Sequence, residues 1–205
     1  EKYFDFYTYD TGQTTSSDFD YLGTAVYYKI YNNYSTMTTA VSAITSLNSS
    51  TTYSAAADAM IDTYGYKELS TSSGTPSPLL PNIGADTRVY IRLMNYQDGN
   101  YTAKIIIGYD EDFSGAGDYV PRRNQTKKYT FDFGRVDSDT TNLSVVPESG
   151  DTDVNYSSSF SDDDDHVWYV DVFAVAEGRD TTYTMYYSKV LHLGSVSIDA
   201  SLEDN

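Results

Sequence analysis

The side chains with the widest chemical range in this chain of 205 residues are two histidines, His166 and His192. A hydrolytic triad would require a serine held against one of them, and no Gly-x-Ser-x-Gly turn surrounds either. On a strand-rich chain the two would sit on or beside different strands. His166, next to Asp165, reads as a solvated residue at the start of a strand. His192, between Leu191 and Leu193, reads as a sheet residue whose ring is satisfied locally. No catalytic residue is assigned, and the chain is read as non-enzymatic.

Carboxylates are the next candidates. Asp162-Asp163-Asp164-Asp165 puts four oxygen-donor side chains in a row, the ligand type hard cations such as calcium prefer. Consecutive residues of an extended chain point alternately to opposite sides, so such a run converges on one ion only if it turns. Asp110-Glu111-Asp112 with Gly115, Gly117 and Asp118 forms a second acidic, flexible loop that lacks the ligand order and closing glutamate of an EF-hand. No metal ligand is assigned to either. A glycosidase pair is defined by the separation of two carboxyl groups, which a sequence does not supply. Gly115-Ala116-Gly117 opens like a dinucleotide fingerprint, but Val120 stands where the third glycine belongs and no Gly-Lys-Ser/Thr loop occurs, so no cofactor is assigned.

The 22 tyrosines are the most suggestive feature. A phenol ring offers a large amphipathic contact surface with little rotamer entropy to lose, which suits recognition of proteins or sugars. Half or more are expected simply to pack two sheets together. Rows of Tyr among Ser and Thr nonetheless favour binding or structural roles over catalysis.

The charge narrows the partners. Thirteen basic against thirty acidic residues leave a net charge of −17, which repels nucleic acid and anionic membrane surfaces. The absence of cysteine removes disulfides, thiolate metal sites and cysteine nucleophiles. No run approaches the roughly 20 apolar residues of a membrane helix. Because the chain starts at Glu1 without Met or an apolar leader, a targeting segment is expected to precede it. Asn-x-Ser/Thr triplets at Asn33, Asn48, Asn100, Asn124, Asn142 and Asn155 arise easily by chance in so hydroxyl-rich a sequence.

The elements that must position these residues are mostly strands. Period-two alternation marks residues 3–9, 22–31, 88–94, 101–109 and 129–133, and Asp98-Gly99 predicts a hairpin between the third and fourth. In residues 22–31, Val26, Tyr28 and Ile30 make the better core face, opposite Ala25, Tyr27, Lys29 and Tyr31. Residues 167–176 are apolar on both faces and read as a central strand, followed by a turn at Gly178-Arg179-Asp180, a strand over 183–193 and a short closing one at Val196-Ser197-Ile198. Met37, Ala40, Val41, Ile44 and Leu47 recur at helical spacing, and residues 55–64 continue that pattern, with Ser54 as a possible N-terminal cap and Gly65 as the C-terminal one. The expected fold is mainly β: an immunoglobulin-like, two-sheet antiparallel sandwich spanning residues 1–205. A short helical hairpin is inserted at 35–66 as a lid over one end, and a polar tail follows at 199–205.

Two resemblances can be drawn, one bearing on architecture and one on location. Trp168 to Val175, a turn, and then Tyr187-Ser188-Lys189-Val190 resemble the last two strands of a fibronectin type III or immunoglobulin-like domain, with Trp168 where tyrosine is usual. The aromatic first strand, Val26 to Asn33, Val89 to Leu93, Val120-Pro121-Arg122-Arg123 and Phe173 to Ala176 together resemble spirochaete-type surface lipoproteins of unassigned function, anchored through a lipidated N-terminal cysteine. That resemblance implies an extracytoplasmic location, at the cell surface or secreted, and transfers no catalytic residue. The expected role is self-assembly or adhesion to a protein partner. A carbohydrate-binding module using exposed tyrosines, with possible help from calcium, is the alternative.

Overall fold

A strand that is apolar on both faces must be covered on both, and the longest strands of this chain are. In the computed structural model, which describes residues 2–8, 16–71, 78–81, 86–94, 103–108, 117–124, 127–129, 131, 133, 146–161 and 166–200, the strands are β1 (Lys2–Tyr7), β2 (Phe19–Tyr31), β3 (Lys67–Glu68), β4 (Leu80–Pro81), β5 (Arg88–Met94), β6 (Lys104–Ile107), β7 (Asp118–Tyr119), β8 (Arg122–Asn124), β9 (Lys127–Tyr129), β10 (Val154–Asn155), β11 (Val167–Asp180) and β12 (Met185–Asp199). The helices are α1 (Tyr34–Ser46) and α2 (Ala55–Asp58), the latter continuing as a wider turn over Ala59–Thr63.

Two sheets form the sandwich. The smaller has the order β1-β5-β6-β7, antiparallel throughout. The larger runs β10-β2-β11-β12, with β3 and β4 also on β2; its long pairs are antiparallel and only the two-residue β10 runs parallel to β2. Between the sheets, Val26, Tyr28 and Ile30 of β2 and Trp168, Val170 and Val172 of β11 pack on Phe4, Val89, Ile91, Leu93 and Ile105. Their burial supplies most of the driving force, at about 25 cal/mol per Å² of apolar surface.

The helical segment does more than close one end. It forms a third layer over the other face of the large sheet, where Met37, Ala40, Ile44, Ala56, Ala57 and Met60 bury Ala25, Tyr27, Tyr31, Phe173, Val175 and Val190. Both faces of β2 are therefore core. The tyrosines follow this second layer: Tyr27, Tyr31 and Tyr66 lie in it, while among the described residues only Tyr28 belongs to the core between the sheets. A phenol hydroxyl must find a partner when buried, and the helix-facing layer holds the polar groups that satisfy it.

Local signals gave mixed results. Gly65 has the left-handed conformation expected after a helix (φ 66°). Ser54 does not cap α2 through a backbone N–H; its hydroxyl donates to Asp58 Oδ2 at 2.8 Å. The cap of α1 is Asn33, whose Oδ1 accepts the Thr36 N–H at 3.0 Å. β5 and β6 form the expected antiparallel pair, with Asp98-Gly99 outside the described residues. The strand expected over 129–133 is displaced to β9; Phe131 and Phe133 are both buried, and Phe133 has positive φ, so their alternation reflects core burial rather than a ladder. β11 continues through Gly178 to Asp180, so the turn falls two to three residues later than expected. β12 is one strand bulged at Gly194 (φ 119°), not two.

Candidate functional site

Register brings together what sequence distance separates. Gly178 of β11 lies opposite Tyr21 of β2 on one side and Tyr186 of β12 on the other. Directly opposed residues share a sheet face, and adjacent strands are about 4.8 Å apart, so two tyrosines flank a glycine across roughly 10 Å. The missing side chain is essential: a Cβ at Gly178 would lie 2.2 Å from Cζ of Phe19. The Phe19 ring fills that space and meets Tyr186 edge to face at 6.0 Å. The row thus brings three aromatic residues, Phe19, Tyr21 and Tyr186, around Gly178, an aromatic shelf.

This shelf lies on the face of β11 that carries Trp168, Val170 and Val172, further along the strand. Beside it lies a pocket of about 400 Å³ that, among the described residues, no residue of the small sheet lines. Ala176, Ser188 and Tyr53 line it as well, together with Glu177 and Tyr187, a cross-strand pair on the helix-covered face, so both faces of the large sheet contribute to it. Tyr186 is 48% exposed and Tyr53 72%. The rim is polar and ordered. Asp180 Oδ1 accepts the Thr182 N–H (2.8 Å), the Thr182 hydroxyl (2.7 Å) and the Thr184 N–H (3.0 Å), while Oδ2 accepts the Tyr186 hydroxyl (3.1 Å). These bonds, the Thr182 hydroxyl foremost, hold the Asp180 carboxyl below the ordinary carboxylate range, and the carboxylate in turn pushes the Tyr186 phenol up.

A second aromatic cluster lines a pocket of about 380 Å³ beside residues 146–149. There Phe160 and Trp168 meet edge to face at 5.3 Å, and Tyr156 is 6.3 Å from each. Among the described residues, the buried indole N–H of Trp168 has no hydrogen-bond partner.

The histidines are placed far apart in role. His166 is exposed in the turn before β11. His192 Nε2 lies 2.7 Å from Oδ1 of the fully buried Asp171, whose Oδ2 accepts the Tyr66 hydroxyl at 2.6 Å. Tyr31 donates to Tyr66 at 3.3 Å. Burial, with Tyr31 and Asp171 alongside, pushes the Tyr66 phenol far up. The Asp–His pair has the orienting half of a triad, but among the described residues no serine or threonine hydroxyl bonds to His192. What the network does is tie β11, β12 and the exit of the helical segment together.

A second buried network does the same between other elements. Arg122 Nε and Nη2 donate to Asp153 at 2.8 and 2.9 Å, and Nη2 also donates to Asp151 at 2.7 Å. Tyr28 donates to the same Asp153 at 2.8 Å. Of the acidic loops, Asp162–Asp165 and most of the 110–118 loop fall outside the described residues, and Asp118 is exposed in β7. Among the described residues no group of three His, Cys, Asp or Glu side chains is arranged to hold a metal. No helix of the described residues is long and apolar enough to cross a membrane.

The shelf was missed in the sequence because nothing near Tyr21 or Phe19 announces Gly178 as their neighbour. Gly178 itself reads as part of a turn in the sequence; only its place inside β11 turns it into a signal, because a glycine within a strand often marks a close approach. The chain matches no protein family, no curated protein and no solved structure, so the site stands on its own geometry.

Proposed function

We propose that this chain is a non-enzymatic domain of an extracytoplasmic surface lipoprotein, and that it adheres to a partner through the aromatic shelf at the Gly178 end of β11. The observation that carries the reading is the shelf: rings of Phe19, Tyr21 and Tyr186, none needed to close either core, line an open pocket with an ordered polar rim. Exposed apolar and aromatic patches with polar surrounds are characteristic of interaction sites. The acidic surface restricts the partner to neutral or basic chemistry. The anchoring cysteine of a lipoprotein would lie outside this sequence.

The test is retention of the purified domain on the surface of cells or isolated envelopes, compared with a variant carrying Tyr186→Ala and Tyr53→Ala. Loss of retention in the variant supports the reading; equal retention of both refutes it.

Self-assembly is a second reading, favoured by β12. This 15-residue strand is the edge of the large sheet, and Leu191 on it is 62% exposed. Open edges are templates for pairing with another chain. One point of that edge is blocked: the side-chain amide of Asn48 donates to the Val190 carbonyl at 2.9 Å and accepts the Val190 N–H at 3.0 Å, as a neighbouring strand would. Sedimentation at high protein concentration separates the readings, since a persistent monomer excludes assembly by this domain alone.

A further inference from the structure

We propose that the aromatic shelf is a carbohydrate site that takes a neutral pyranose, an inference that rests on the adhesion reading and names the chemistry of its partner. A pyranose presents an apolar C–H face and a belt of hydroxyls in its plane. The pocket presents the complement of both. Phe19, Tyr21 and Tyr186 supply aromatic surface to a pocket of about 400 Å³, within the usual volume range of a small-ligand site. Polar groups of the lining that a sugar hydroxyl could reach are the Tyr21 hydroxyl, 3.5 Å from Thr24 Oγ1, the Tyr186 hydroxyl, which Asp180 Oδ2 holds in place, and the Glu177 carboxylate.

Charge selects among sugars. The net charge of −17 and the carboxylate at the rim oppose sialylated and uronate-containing chains, whereas uncharged sugars incur no such penalty. The rim is also held in advance. Four hydrogen bonds onto Asp180 fix the β11–β12 turn, and the Phe19 ring is wedged over Gly178, so little ordering entropy is left to lose on binding. The second cluster, Tyr156, Phe160 and Trp168, supplies an internal control because its exposed Tyr156 lies in a separate pocket.

The experiment is an array of neutral oligosaccharides built from glucose, galactose, mannose and N-acetylglucosamine, with sialylated and uronate glycans beside them, followed by calorimetric titration of the best ligand. It uses the unmodified domain, Tyr186→Ala, Tyr53→Ala and the control Tyr156→Ala, each checked for an unchanged circular dichroism spectrum. Removing Tyr186 should weaken binding about tenfold, the equivalent of about 1.4 kcal/mol, with a smaller loss for Tyr53. Tyr156→Ala should bind as the unmodified domain does. Binding of neutral glycans that Tyr186→Ala abolishes or weakens in this way supports the proposal. Binding only to anionic glycans, or neutral binding lost in Tyr156→Ala instead, overturns it. If no glycan binds while retention on envelopes still depends on Tyr186, the sugar assignment fails and the adhesion reading survives. If retention is also absent, both fail together.

Discussion

Replacing Arg122 with methionine should unfold this protein at a markedly lower temperature, and the structure says by how much. The Arg122 side chain is fully buried, makes three bonds of 2.7–2.9 Å to Asp153 and Asp151, and places its guanidinium 5.7 Å from the Phe133 ring centre. Methionine preserves most of the stem volume and deletes the charge. Asp153, which is also fully buried, then keeps the Tyr28 hydroxyl and the nearby Lys29 charge but loses the guanidinium that bonds it directly. Breaking a buried pair by removing one partner costs about 3–5 kcal/mol. For a domain of this size that corresponds to a fall in Tm of roughly 6–20 °C. Thermal and urea unfolding followed by circular dichroism would measure it. Hydrogen exchange adds a local readout, because the Ile30 N–H bonds to the Asp153 carbonyl at 2.9 Å and should lose protection first. The decisive comparison is Arg122→Met with Asp153→Leu. Removing both charges takes away the orphan as well as the bond, so the double variant should recover more than half of the loss. A single variant costing less than about 1 kcal/mol, or losses that simply add, would refute the claim that this pair is a buried, mutually dependent tie.

Gly178→Ala should displace the Phe19 ring, cost about 1–3 kcal/mol by overpacking and abolish adhesion together; wild-type stability with adhesion intact would show that the shelf is not built on that glycine. Asn48→Ala should cost about 1 kcal/mol and increase self-association by freeing the β12 edge at Val190, readable by sedimentation velocity. The order of the 180–186 turn should depend on pH in two windows. The Asp180 pKa is depressed in the fold, so its contribution is complete above the unfolded carboxylate value of about 4 and is lost as pH falls through the lower folded value. The Tyr186 pKa is raised, so its contribution is complete below about 10 and is lost as pH rises through the folded value. The Thr182 and Thr184 amide resonances should report both transitions, and a turn insensitive to acid would contradict the Asp180 bonds. Gly65→Ala should cost about 1 kcal/mol because φ 66° strains any residue with a side chain, measured by urea midpoint.

The sequence by itself determined the strand-rich class, the helical segment and the central position of β11, because each is written in a local period. Residues 167–176 alternate between two apolar sets, so the strand had to be covered twice; Met37, Ala40 and Ile44 repeat at helical spacing, so that segment had to lie on an apolar surface. The absence of cysteine and the surplus of acid likewise follow from composition and excluded whole classes of chemistry. Only the tertiary structure decided which residues meet. The helical segment became a layer instead of an end cap because β2 offers Ala25, Tyr27 and Tyr31 on its second face, and an alternating pattern does not say what covers it. His192 reaches Asp171 and Arg122 reaches Asp153 through strand register and loop placement, which depend on the summed packing of two sheets. The shelf is the clearest case: Tyr21, Gly178 and Tyr186 form one row because bulges in β2 and β12 bring their side-chain positions into phase with β11. A one-residue shift would turn those side chains to the other face, and no local signal in the sequence specifies the register that prevents it.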